Sequence, residues 1–146
     1  MPRPLLVGEF EFTLDAKNRI AIPARLRPAF ANGIYLTRER PRCLAGYGPE
    51  EFERRLDEEV AATPPTSNRR RDLLRFTVGQ AVFQELDRQG RVTIPAKLLE
   101  YAGITRDVTI IGVADHLEIW DRSAWADYLA RLEEEADAAA DEPRPA

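Results

Sequence analysis

Leu14 to Phe30 reads LDAKNRIAIPARLRPAF, and Leu86 to Ala102 reads LDRQGRVTIPAKLLEYA; the two stretches align without a gap at an offset of 72 residues. Seven of the 17 positions are identical, where average composition gives about one by chance. A second block repeats too. RCLAGYGPEEFERRL, from Arg42, lies over DHLEIWDRSAWADYL, from Asp115, at an offset of 73 that matches Leu44 to Leu117, Tyr47 to Trp120, Phe52 to Trp125 and Leu56 to Leu129. A whole module is therefore duplicated, and such self-similarity decides the architecture before any single element is read. Between the copies, ATPPTSN has the prolines and small polar residues of a linker. The chain divides into a first module over 1–62, a linker with a connecting helix over 63–78, a second module over 79–132 and an acidic, disordered tail over 133–146.

Each copy reads as strands first and a helix last. Phe10, Phe12 and Leu14 alternate with Glu9, Glu11 and Thr13, the period-2 pattern of a strand with one buried face. In the second copy Val82, Gln84 and Leu86 take the matching places, which aims Gln84 inward with no partner apparent from the sequence. Asp15-Ala-Lys-Asn18 and Asp87-Arg-Gln-Gly90 follow. An aspartate that opens a turn accepts main-chain N–H bonds, and Asn or Gly at the fourth place tolerates positive φ, so the chain should reverse at both. Arg-Ile-Ala-Ile-Pro and Arg-Val-Thr-Ile-Pro then read as short strands, each ended by a proline (Pro23, Pro95) able to open a helix. Further strands are expected around Ile34 to Thr37 with Leu44 to Tyr47, and around Val108 to Val113 with Leu117 to Trp120. Phe52, Leu56 and Val60 form one helix stripe; Trp125, Tyr128, Leu129 and Leu132, capped by Asp121, form another. A short helix around Arg70 to Phe76 joins the copies. The fold class is α+β, mainly β.

Hydrophobic residues at 44% and charged residues at 32% describe a chain able to build a core, with no apolar run long enough to span a bilayer and no signal-peptide pattern at its start, so a cytoplasmic location is expected. One cysteine, Cys43, and one histidine, His116, cannot assemble a Cys/His metal cluster; no cofactor is expected, and Cys43 reads as a small buried apolar residue. Net charge is −4, yet it is unevenly spread. Between Ala16 and Pro49, Lys17, Arg19, Arg25, Arg27, Arg38, Arg40 and Arg42 stand against Glu39 alone, a local excess of +6, whereas Leu132 to Ala146 holds six acids and only Arg144.

The paired L-D-x-x-[NG]-R-[IV]-x-I-P motifs, with the Trp120 to Trp125 segment, resemble the MraZ family of bacterial transcription regulators, which carry two AbrB-like modules in one chain; the likeness runs from about Gly8 to about Leu132. This resemblance implies a duplicated AbrB-like swapped-hairpin β-barrel with short flanking helices. It also implies a ring-shaped homo-oligomer that binds short direct repeats of double-stranded DNA, in the promoter of the cell-division and cell-wall gene cluster, and usually represses it. The family's Asp-x-x-x-Arg motif falls on Asp15 and Arg19 and again on Asp87 and Arg91. The copies differ at the turn: Asn18 replaces the usual glycine, Lys17 aligns with Gln89, and Ala16 aligns with Arg88.

A duplex presents dense phosphate charge, so a binder places Lys and Arg on exposed bends, with Arg favoured for bidentate contact to phosphate or guanine. Lys17, Arg19, Arg25, Arg88 and Arg91 are the expected DNA-binding set, and Asp15, Asn18, Asp87 and Gly90 the residues that shape the turns. The plainer alternative is that Arg19 and Arg91 only brace their aspartates. Nucleoid association follows from the DNA-binding reading. Tyr47, Phe52, Trp120, Trp125 and Tyr128 keep core spacing and read as packing. Arg69, Arg70 and Arg71 oppose the dipole of their own helix, which leaves them between an ordinary solvated linker and a contact site. A different class of function is an antitoxin-like protein-interaction module without DNA affinity. An enzyme is the weakest reading, since no nucleophile, metal or phosphate-cradling motif is present.

Overall fold

The computed structural model describes residues 5–141. Among the described residues, eight strands and four α-helices run in the order β1 (Leu6–Thr13), β2 (Arg19–Ala21), a short 3-10 helix (Arg27–Phe30), β3 (Ile34–Glu39), β4 (Cys43–Tyr47), α1 (Pro49–Ala61), α2 (Asn68–Thr77), β5 (Val82–Gln84), β6 (Arg91–Thr93), α3 (Ala96–Ala102), β7 (Asp107–Ala114), β8 (Leu117–Asp121) and α4 (Arg122–Ala140). The fold is mixed α+β, dominated by antiparallel strands.

The copies exchange partners. Six strands form one sheet in the order β1-β7-β8-β4-β3-β5, and β2 pairs with β6 in a separate ribbon. Strand β1 of the first copy pairs along its length with β7 of the second, and β5 of the second pairs with β3 of the first. The registers are symmetric under the repeat. In the ribbon, Arg19 faces Thr93, Ala21 faces Arg91, and Ile20 faces its own equivalent, Val92. In the sheet, Leu44 faces Ile119, Gly46 faces Leu117, and Ala45 faces Glu118. A pseudo-twofold axis therefore passes through the Ile20/Val92 and Ala45/Glu118 pairs. The main core lies between ribbon and sheet, where Ile20, Ile22, Ile34, Leu36, Leu44, Val92, Ile94, Ile110, Leu117 and Ile119 are all buried. On the sheet's other face, α1 covers a smaller core of Ala45, Tyr47 and Phe52. The expected closed barrel is not formed: among the described residues the six-stranded sheet stays open, with β1 and β5 at its edges.

Three local expectations need correction or completion. Pro23 opens no α-helix. Pro28 lacks the N–H that would continue an α-helical ladder, and the segment settles into turns and a 3-10 helix, with Leu26 N–H donating to the Pro23 carbonyl at 2.8 Å. In the second copy Glu100 stands in that place, α3 forms, and Gly103 ends it at φ 65°. Secondly, the stretch from 133, expected to be a disordered tail, continues α4 to Ala140. Alanine and glutamate have high helix propensity, and acidity alone does not dissolve such a helix; the rest of that tail lies outside the described residues. Thirdly, Gln84 has a partner: its amide accepts from Thr93 N–H at 2.9 Å and donates to the Thr93 carbonyl, so one side chain mimics a neighbouring strand.

Candidate nucleic-acid interface

Both Asp-x-x-[Asn/Gly]-Arg segments fold into the same reversal. Asp15 Oδ1 accepts the main-chain N–H groups of Lys17 (2.8 Å) and Arg19 (2.9 Å), while Oδ2 accepts Arg19 Nε at 2.7 Å. Asp87 repeats this with Gln89, Arg91 N–H and Arg91 Nε, each at 2.9 Å. Asn18 and Gly90 take the left-handed conformation with φ 58° and 75°. The main-chain bond from Arg19, foremost among its causes, and the guanidinium beside it pull the Asp15 carboxyl down to about 2; Asp87 is lowered likewise, first by the Arg91 N–H.

The ribbon register sets where the arginines go. Ile20 and Val92 point into the core, so by strand alternation Arg19, Ala21, Arg91 and Thr93 share the opposite face. The side chains of Arg19 and Arg91 are 29% and 28% exposed, braced yet open on one edge. They are also linked across the ribbon, with Arg91 Nη1 3.9 Å from Asp15 Oδ2. Lys17 and Arg88 sit exposed in the two turns, and Arg25 is exposed just after Pro23. Among the described residues none of these three makes an ion pair.

Sequence reasoning missed Arg27. It is half-buried, and its Nε donates to the Ile22 carbonyl at 2.8 Å. It crosses to the other copy's turn, where a Cβ on Gly90 would collide with its guanidinium. The signal was available: Arg27 aligns with Leu99, a charged residue at an apolar place of the repeat. Arg70 likewise gains a structural role. It binds the Val60 carbonyl in the last turn of α1 and the Thr63 carbonyl just past it, so the positive charge that opposes the dipole of α2 is favourable at the C-terminus of α1. Arg71 bonds Asn68 Oδ1 at 2.9 Å. The aromatics pack: Tyr47, Phe52 and Trp120 are buried, and Trp120 lies 5.2 Å from Trp125 and 5.0 Å from Tyr128. His116 stacks on Tyr47 at 4.6 Å and meets Asp115 at 2.6 Å. No helix among the described residues is long and apolar enough to cross a membrane.

A duplicated chain that braces two arginines on one face of a shared ribbon, each held by the aspartate four residues before it, defines a protein of two interleaved modules with a single composite basic face. The model of the family described as "MraZ protein, putative antitoxin-like" matches twice, over residues 5–76 and 77–144. Proteins named transcriptional regulator MraZ from Micrococcus luteus (41% identical), Kocuria rhizophila (40%) and Leifsonia xyli subsp. xyli (40%) each align over 129 residues, 88% of this chain and 90% of theirs. The chain belongs to the MraZ family.

Proposed function

We propose that the protein is a transcriptional regulator that binds double-stranded DNA through the β2–β6 face, with Arg19 and Arg91 at its centre and Lys17, Arg25 and Arg88 around them. The observation that carries this reading is the pair of aspartate-held arginines on one exposed ribbon face. Each aspartate takes the Nε edge, which leaves the terminal nitrogens of Arg19 for phosphate or guanine, while Arg91 Nη1 keeps only a long contact of 3.9 Å to Asp15; such fixed geometry is what bidentate recognition requires. Bracing and recognition are compatible. The names of the relatives support regulation of transcription rather than catalysis.

The exchange of strands between copies supports an AbrB-like swapped-hairpin architecture. In the proposed assembly, identical subunits form a ring whose faces engage successive direct repeats in the promoter of the cell-division and cell-wall gene cluster, repressing it in the cytoplasm at the nucleoid. Two features favour assembly. Among the described residues both sheet edges lack a partner strand, and exposed apolar side chains mark each: Leu5, Val7 and Val113 at the β1 edge, and Phe83 on β5 with Val78 just before it. Contacts between unlike edges are head-to-tail, and these close into rings when the rotation permits. Many weak contacts then add by avidity, which a chain of net charge −4 needs.

Replacing Arg19 with Ala tests the reading on DNA from upstream of the protein's own gene. Affinity is expected to fall about tenfold or more, and the salt slope to lessen by about one for each phosphate the variant no longer neutralises; unchanged affinity with an unchanged slope would sink it. The antitoxin-like reading rests on the family's description, and a stoichiometric basic protein retrieved in pull-down, with no duplex bound, would favour it.

A further inference from the structure

A cleft of about 950 Å³ lies between α1, α2 and strand β3, away from the two turns. Its volume falls in the range of small-molecule sites, roughly 300–1,000 Å³. Phe52, Leu56, Leu73 and Phe76 give it an apolar wall. The charges around it are unequally satisfied. Glu39 and Glu59 are both engaged by Arg55, at 3.0 and 2.5 Å, and Asp72 pairs with Arg75 at 2.9 Å. The guanidinium groups of Arg38, Arg40 and Arg69 on the same cleft meet no carboxylate among the described residues, although the Arg40 main-chain N–H donates to Glu39 at 3.0 Å.

Two of those cations are held by rings instead. Arg38 lies 4.9 Å from the centre of Tyr101, and Arg40 lies 5.9 Å from that of Phe76. A guanidinium held by its face over a ring keeps its N–H edge for another partner. Arg38 Nε is buried with no hydrogen-bond partner, and so is Glu59 Oε2. The cleft thus offers uncompensated positive charge beside an apolar wall.

We propose that this cleft binds a small organic anion with a flat apolar body. Its occupant would join α1 and β3 of the first copy to α2, the helix that leads into the second. That helix buries no side chain fully, and its ties include Arg70 to the end of α1, the Thr77 carbonyl to Thr37 Oγ1 at 2.9 Å, and Phe76 against Tyr101 and under Arg40. Binding there would stiffen the connection between copies without touching the arginines of the turns.

The test is a fluorescence titration of the full chain with 8-anilinonaphthalene-1-sulfonate and with its uncharged analogue N-phenyl-1-naphthylamine. The sulfonate should saturate at one dye per chain and bind about tenfold more tightly than the analogue, the size expected for one charge-assisted contact. Arg40→Gln with Arg69→Gln, both at exposed positions, should remove that difference while leaving the neutral dye unaffected. Leu73→Trp, which fills the apolar end, should block both dyes. Equal affinity for the two dyes, or a double variant that keeps the wild-type preference, overturns the proposal. A double variant that loses promoter DNA but keeps the sulfonate also overturns it and makes the patch a duplex contact. An unchanged sulfonate site in an Arg19→Ala protein that no longer binds DNA separates the two readings.

Discussion

Asp15 accepts two main-chain N–H groups and one guanidinium N–H, and the order of those contributions decides what the turn needs. The main-chain donors belong to the fold of the turn and outlast any change at Arg19. In an Arg19→Ala protein, carboxyl NMR should therefore find Asp15 titrating above its present value of about 2 yet still below the ordinary aspartate value of 3.8. A return to 3.8 would show that the arginine alone held it down. The sign for stability follows: a lowered carboxyl supports the native state fully above its ordinary value, and that support is lost as pH falls from about 4 towards 2. The turn chemistry was legible because aspartate, asparagine and glycine act locally. Arg27 was not, because its target, the turn at Gly90, belongs to the other copy.

Gln84 shows the same division at the level of strands. Alternation placed it facing inward, correctly, but its partner lies on β6, beyond a turn, so no local pattern could name it. Gln84→Val keeps β propensity while leaving the Thr93 main-chain groups without their amide. Thermal or urea unfolding should register a loss of about 1–3 kcal/mol; no loss would show that solvent already serves those groups. The helix stripes were legible for the same reason as the turns, and Asp121 caps α4 as its sequence requires, accepting Ala124 N–H at 3.0 Å. What misled was charge. The acids beyond Leu132 read as disorder although the alanines among them favour helix. The α1–α2 cleft was invisible, since its lining residues come from two helices, two strands and the turns beside them, and only their tertiary placement brings them together.

The repeat reveals two copies but not how they share strands. Nothing in the period of a strand says whether its partner is in the same copy, and here the outer strands β1 and β5 both cross over. Neither copy holds a complete sheet. Fragments 1–76 and 77–146, made separately, should each fail to unfold cooperatively as a monomer, and should regain a single transition when mixed. A monomeric fragment melting as sharply as the whole chain would contradict the exchange. The difference in length is also informative: β1 pairs over eight residues, Leu6 to Thr13, while β5 pairs over three, so one crossing carries far more main-chain bonding than the other.

That longer crossing has a consequence for synthesis. Leu6 pairs with Ala114 and Thr13 with Asp107, so β1 must wait for a strand that leaves the ribosome long after it. A nascent chain stalled before β7 presents β1 with no companion, and on a polysome the nearest candidate is the same strand of the chain ahead. Translation speed, which leaves the finished molecule's energy untouched, would then influence how many copies mature correctly.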